Sequence, residues 1–265
     1  MSAAASGLFD LSGRSALVLG ASRGIGRAIA VGLASAGARV AVAARGKADL
    51  EECAAAMRQD GRTAEAIVFD ALDLNALPAL VDDVARRLEG LDVLVHVAGL
   101  NRRRPAVDTT VDDWDTVLDL NLRSFFFAAQ AVGRHWITTS RFALDRERKG
   151  KIIGIGSLTT KIALASMAPY AASKSGLLGV VRTLALEWAQ HGICVNAIVP
   201  GYIATDFTRA VQDDPARSEW VVSRIPMGRW GTPSDLVGAS VFLAARASDY
   251  VTGQSLVVDG GWLAA

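Results

Sequence analysis

A single doubly wound α/β domain, with a seven-stranded parallel sheet and helices on both faces, is the fold this sequence predicts. Short Val- and Ile-rich runs alternate with longer helical patterns along the whole chain, and such βα alternation implies right-handed crossovers between parallel strands. Most of the runs lack strict in–out alternation, as expected of strands covered on both faces. No internal repeat or low-complexity linker divides the 265 residues, a length that suits one large α/β domain.

In chain order, strands are read at 15–20, 39–44, 64–69, 92–97, 151–156, 193–199 and 255–258. Helices are read between them at 24–36, 47–59, 74–89, 112–136, 168–190 and 233–244. Two segments break the rhythm. Residues 138–150 are charged and read as a surface insertion before the fifth strand. Residues 200–232 form a long excursion after the sixth strand, and loops of that length in compact domains are usually functional lids.

Composition narrows the function classes. With 51% hydrophobic and 21% charged residues, the chain can bury a sizeable core and is not disordered. A formal charge of +1 gives no global attraction to nucleic acid or an anionic membrane. Cys53 and Cys194 are the two cysteines, without the spacing of a disulfide framework or a zinc site, and no metal is expected. Residues 1–13 show no signal peptide, and no apolar run approaches the ~18 residues of a membrane span. A cytoplasmic protein is expected.

Residues 20–26, Gly20-Ala21-Ser22-Arg23-Gly24-Ile25-Gly26, follow the first strand and open a helix. Gly20 can make the tight turn, Gly24 lets the backbone approach a phosphate, and Gly26 permits close helix–strand packing. The helix N-terminus then offers free N–H groups and a positive dipole end to a pyrophosphate. The spacing is GxxxGxG rather than GxGxxG. A carboxylate ending the second strand would bind the ribose 2′-OH of NAD and repel the 2′-phosphate of NADP. Here that strand ends Ala43-Ala44-Arg45, with Lys47 beyond and no acid before Asp49. Arg23 can reach the same phosphate from the other side, so NADP(H) is the expected cofactor. Asp70, closing the third strand, either accepts from the adenine amino group or caps a turn.

Tyr170 and Lys174 are four apart in a helical pattern and share a face. A phenol near its usual pKa of ~10 is a poor base at neutral pH, and a nearby ammonium favours the phenolate. Ser157 ends the fifth strand, where open α/β sheets place ligands, and can hold a substrate oxygen beside Tyr170. Asn121 lies within 112–136, where an amide suits a polar relay.

On residues 20–26, Asp70, Asn121-Leu122, Ser157, Tyr170-Ala171-Ala172-Ser173-Lys174, Pro200-Gly201 with Thr205, and Val258-Asp259-Gly260-Gly261, the chain resembles the short-chain dehydrogenase/reductase family. The resemblance runs from Leu11 to Leu263, and Ser157 precedes Tyr170 by the family's usual thirteen residues. It implies a Rossmann fold and hydride transfer between NADP(H) and a carbonyl or alcohol. It also implies a tetrad. Tyr170 is the acid/base, Ser157 orients the carbonyl, Lys174 holds the ribose and lowers the tyrosine pKa, and Asn121 anchors a proton-relay water. Cofactor contacts are implied at Gly20, Ser22, Arg23, Gly24, Ile25, Gly26, Arg45, Asp70, Ala71, Ala98, Gly99, Tyr170, Lys174, Pro200, Gly201, Ile203 and Thr205. A homotetramer is implied too, with the last strand and Trp262 near a subunit contact. Where the family has Asn-Asn-Ala-Gly, this chain has His96-Val97-Ala98-Gly99. Val97 replaces an amide that helps hold strand ends and cofactor together, and His96 is read as structural.

Residues 99–105, 223–231, 247–253 and 259–262 look like the family's sugar-acid dehydrogenases, which act on gluconate and ketodeoxygluconate. Arg102, Arg103 and Arg104 follow the fourth strand, where a guanidinium can grip a carboxylate in bidentate fashion. Three successive side chains cannot all point into one site; a solvated loop or an intersubunit ion pair is the alternative. With Ser157 and Tyr170 they are the candidate substrate contacts. Trp220, Arg224 and Trp230 either close over substrate or rest on the sheet. Three functions stay open: an oxidoreductase of sugar acids or small hydroxy-ketones, a 3-oxoacyl-[acyl-carrier-protein] or general carbonyl reductase, and a non-catalytic nucleotide sensor. The intact Asn121, Ser157, Tyr170 and Lys174 set speaks against the last.

Overall fold

The computed structural model describes residues 7–142 and 148–265. Strands β1 (Ser15–Leu19), β2 (Arg39–Ala44), β3 (Ala64–Val68), β4 (Val93–His96), β5 (Gly150–Ile155), β6 (Ile193–Pro200) and β7 (Ser255–Val258) form one parallel sheet, in the order β3-β2-β1-β4-β5-β6-β7. Around it lie α1 (Gly24–Ser35), α2 (Lys47–Gln59), α3 (Leu77–Arg87), α4 (Val111–Leu118), α5 (Ser124–Thr138), α6 (Ala168–Trp188), α7 (Arg209–Gln212), α8 (Pro215–Ser223) and α9 (Val237–Ala244). The doubly wound sheet is the one expected. The helix expected over 112–136 is not continuous, however: α4 and α5 are joined by a π-helical turn, Asp119–Arg123.

Two apolar layers explain why the strands read without alternation. Val18, Val42, Val95 and Ile153 face one layer, with Ile29 and Leu33 of α1 and Leu243 of α9. Leu17, Ala41, Leu94 and Ile152 face the other, with Val84 of α3, Phe125 of α5 and Leu177 of α6. Since both layers are apolar, successive positions in the middle of the central strands are apolar and in–out alternation is lost. The chain winds from β1 out to β3 and returns beside β1 with β4. Connections leaving β1 and β4 therefore diverge, and they open a crevice at the carboxyl ends of the strands.

The opposite edge of the sheet is fastened by charge. Asp92, just before β4, has a side chain 0% exposed. It accepts from Ser15 N at 2.9 Å, Arg141 Nη2 at 3.0 Å and Arg148 Nε at 3.0 Å. Burial pushes its carboxyl up, but the Arg148 hydrogen bond and the Arg141 and Arg148 charges outweigh that and hold it below the ordinary value. Both arginines belong to the charged stretch 138–150, of which 143–147 lie outside the described residues. Phe142, at its edge, is buried against Trp136 with ring centroids 5.2 Å apart. Removing one partner of such a buried set costs about 3–5 kcal/mol. Asp92→Ala is therefore expected to lower the melting temperature sharply while leaving kcat/KM at permissive temperature intact, which thermal melts alongside steady-state kinetics will check.

Candidate active site

A cleft of about 1110 Å³ lies at the carboxyl ends of the strands. Its floor is backbone brought too close for side chains. Gly20 has φ +87, and a Cβ there would stand 2.6 Å from the Ala98 nitrogen. A Cβ on Gly26 would stand 2.1 Å from the Gly20 oxygen, and Gly24 sits at φ +56. No side chain caps α1, whose N-cap is Arg23, so the first-turn N–H groups of a twelve-residue helix face the cleft. That cradle fits a pyrophosphate, through N–H groups and dipole together.

The structure brings the remaining candidate cofactor residues to the same cleft. Ser22, Arg23, Ile25 and Arg45 line one end, with Asp70 and Ala71 beside them. Ala98, Gly99, Pro200, Gly201, Ile203 and Thr205 line its middle. Arg23 lies 3.6 Å from Asp206. Asp70 accepts from Leu72 N at 3.0 Å, closing a turn while still facing the cleft.

At the other end stand Ser157, Tyr170 and Lys174. Pro169, in the first turn, starts α6 where no N–H partner is needed, and both functional side chains follow within that helix. Ser157 is extended and caps a short 3₁₀ turn, accepting from Thr159 N at 3.2 Å. Burial pushes the Tyr170 phenol up to about 12, while the hydrogen-bonded Ser157 hydroxyl and the Arg103 charge pull the other way. Burial likewise holds Lys174 down to about 8. Lys174 Nζ lies 5.7 Å from the phenol ring centroid and donates to Ile155 O at 2.8 Å, so the lysine is turned toward the end of β5.

Asn121, in the π-helical turn, is fully buried. It accepts from Leu100 N at 2.8 Å and donates to Leu100 O at 2.9 Å and Ser173 Oγ at 3.0 Å. Its amide thus joins the loop after β4 to α6. Only one member of the arginine run lines the cleft, and that is Arg103. Arg102 Nη1 lies 3.2 Å and Arg104 Nε 3.0 Å from the buried Asp113 carboxylate. Successive side chains of an extended segment point opposite ways, so the pair flanking Arg103 turns to Asp113.

Residues 20–263 match the family described as Enoyl-(Acyl carrier protein) reductase. The chain is 42% identical over 256 residues to the 2-dehydro-3-deoxy-D-gluconate 5-dehydrogenase of Escherichia coli (strain K12), spanning 97% of this chain and 98% of that protein. It is 40% identical over 254 residues to the gluconate 5-dehydrogenase of Gluconobacter oxydans (strain 621H), spanning 96% of each. The crystal structure of a gluconate 5-dehydrogenase from Burkholderia cenocepacia J2315 in complex with NADP and tartrate superposes with a TM-score of 0.92 at 40% identity, covering 98% of this chain and 99% of that one. The chain belongs to the short-chain dehydrogenase/reductase family.

In this short-chain dehydrogenase/reductase the departure at 96–97 is accommodated by packing. Val97 lines the cleft and packs on the core. Buried His96 is held down to about 3, by desolvation first and the Lys174 charge second, so it is a neutral ring. Its Nε2 lies 2.9 Å from Ser124 Oγ, which donates to Leu120 O at 2.6 Å, and this chain of contacts braces the π-helical turn. Of the residues singled out in the 200–232 excursion, Trp220 lines a side pocket. Arg224 stacks on Trp220 and Trp262, and Trp230 donates to Ser218 Oγ at 3.0 Å. Tyr202, Phe207 and Arg217 also line the cleft; only their place in that excursion signalled them.

The depressed lysine gives a test independent of turnover. Its folded value is about 8, against an ordinary 10.5, so between the two the unfolded chain holds more protons and stability rises with pH. Lys174→Met removes that rise. The melting temperature of wild type relative to Lys174→Met is expected to increase between about pH 8 and about pH 10.5; a constant difference would mean the ammonium is not desolvated.

Proposed function

We propose that this enzyme is an NADP(H)-dependent oxidoreductase that interconverts a carbonyl and a secondary alcohol on a sugar acid. One observation carries the reading: a single cleft runs from the glycine cradle to Ser157, Tyr170 and Lys174, with Arg103 at its edge. NADP(H), when bound, supplies or takes the hydride. Arg45 and Arg23 grip the 2′-phosphate, and the N–H groups opening α1 take the pyrophosphate. Lys174 holds the nicotinamide ribose. Ser157 donates to the substrate oxygen and fixes it beside Tyr170. In reduction Tyr170 gives its hydroxyl proton to that oxygen, and in oxidation it takes the proton back. Asn121 is a positioning residue, and the 200–232 segment closes over substrate.

The substrate class is supported by full-length likeness to the two sugar-acid dehydrogenases above and by a relative that holds NADP with tartrate, a dicarboxylate. Arg103 is the carboxylate contact among the three arginines. The same reading takes the protein as a cytoplasmic homotetramer. Exposed Leu186 on α6 and Leu256 and Val257 on β7 support subunit contacts, and buried, unpaired Cys53 and Cys194 suit a reducing compartment.

Two measurements test this. The ratio of kcat/KM with NADPH to that with NADH is expected to exceed about tenfold, because charge-assisted contacts to the 2′-phosphate contribute about 1.5–3 kcal/mol. Arg45→Asp should move it toward NADH, and equal efficiency in wild type would end the assignment. In a substrate panel, 5-keto-D-gluconate should be reduced with higher kcat/KM than its neutral counterpart L-sorbose. A preference for neutral ketones would leave a carbonyl reductase instead.

A further inference from the structure

Beside the cleft lies a side pocket of about 640 Å³. Arg103, Tyr202 and Arg217 line both spaces and so form their common boundary. Arg103 comes from the loop after β4, whereas Arg217 comes from α8 in the 200–232 excursion. Burial pushes the Tyr202 phenol up, while the Arg103 and Arg217 charges both pull it down. Two guanidiniums thus border the same boundary as the Tyr202 phenol, and no carboxylate is among the described residues lining the side pocket. Other arginines nearby are matched: Arg102 and Arg104 by Asp113, Arg209 by Asp206, Arg229 by Asp235. Two like charges brought to one hydroxyl repel unless an anion sits between them.

We propose that Arg217 is the second jaw of a carboxylate clamp whose first jaw is Arg103, with the Tyr202 hydroxyl between them, so that the substrate's acid group draws α8 onto the cleft. The inference rests on the sugar-acid reading and adds to it a residue, a substrate orientation and a cause of closure. Ser157 and Tyr170 hold the reacting carbon, and the clamp stands at the boundary beyond them. The proposed orientation puts the carboxylate at Arg103 and Arg217 and the reacting carbon at Ser157 and Tyr170. Trp220 walls the far side of the pocket, its ring held by Trp262 at 5.6 Å and by the Arg224 guanidinium at 5.7 Å, which limits chain length.

The test compares wild type, Arg103→Ala, Arg217→Ala and Arg217→Lys, as full chains with NADP⁺. D-gluconate is set against D-glucitol, the same carbon chain with a hydroxymethyl group in place of the carboxylate. The acid-to-neutral ratio of kcat/KM is expected to fall about tenfold to a hundredfold in Arg217→Ala. Arg217→Lys should recover part of it, because an ammonium keeps the charge but not the fork. Hydrogen exchange supplies a second readout: gluconate with NADP⁺ should protect the amides of 215–223 in wild type and not in Arg217→Ala. A wild type without preference for gluconate overturns the sugar-acid reading and this inference with it. If Arg217→Ala keeps the wild-type ratio while Arg103→Ala loses it, the second jaw is wrong and the sugar-acid reading stands. Equal protection of 215–223 in wild type and Arg217→Ala overturns the closure.

Discussion

The geometry of the site depends on the three hydrogen bonds made by the buried Asn121 amide to Leu100 and Ser173. Leu100 belongs to the loop that carries Gly99 and Arg103, and Ser173 donates to the Tyr170 carbonyl at 2.7 Å. One amide therefore sets the loop after β4 against the helix that presents Tyr170 and Lys174. A regular α-helix through 119–123 would rotate that amide away, and the wider π-helical turn is the local adjustment found at many functional sites. Its bracing by Ser124 and a neutral His96 ties the adjustment back to β4. Losing any one of these buried pairings leaves a polar group unsatisfied, at about 1–3 kcal/mol each.

Charge is handled in opposite ways at the two edges of the sheet. At the amino-terminal edge Asp92 is surrounded by the partners it needs, and the result is a fastening. At the carboxyl edge the first turn of α1 is uncapped, and Arg103 and Arg217 line a side pocket with no carboxylate among its described lining. Such arrangements are unfavourable by themselves and become favourable when anions arrive. Stability and function are thereby drawn from different ends of the same strands.

Burial acts on Tyr170 and Lys174 in the same sense, since both prefer the neutral form when water is removed. It raises the phenol and lowers the ammonium. What opposes it at Tyr170 is the Ser157 hydroxyl and the Arg103 charge, so a residue read from sequence as a substrate contact also acts on the phenol. Arg103 also lines the boundary that Tyr202 marks.

The sheet was legible in the sequence because its two apolar layers write themselves into every strand, and the glycine cradle because no other residue tolerates 2.1 Å and 2.6 Å approaches to backbone. Ser157, Tyr170 and Lys174 were legible because strand ends and helical spacing fix their place locally. The π-helical turn was not, since Asp119–Arg123 has the composition of an ordinary helix and only Leu100 and Ser173, distant in the chain, make the distortion favourable. Nor could sequence choose among Arg102, Arg103 and Arg104. That choice belongs to Asp113, whose buried carboxylate takes the two flanking guanidiniums and leaves the middle one to the cleft. Local periodicity determined the elements and put Tyr170 and Lys174 on one helix face; which polar groups meet was decided by tertiary packing, because hydrogen bonds and ion pairs depend on distances between segments that the chain order does not encode.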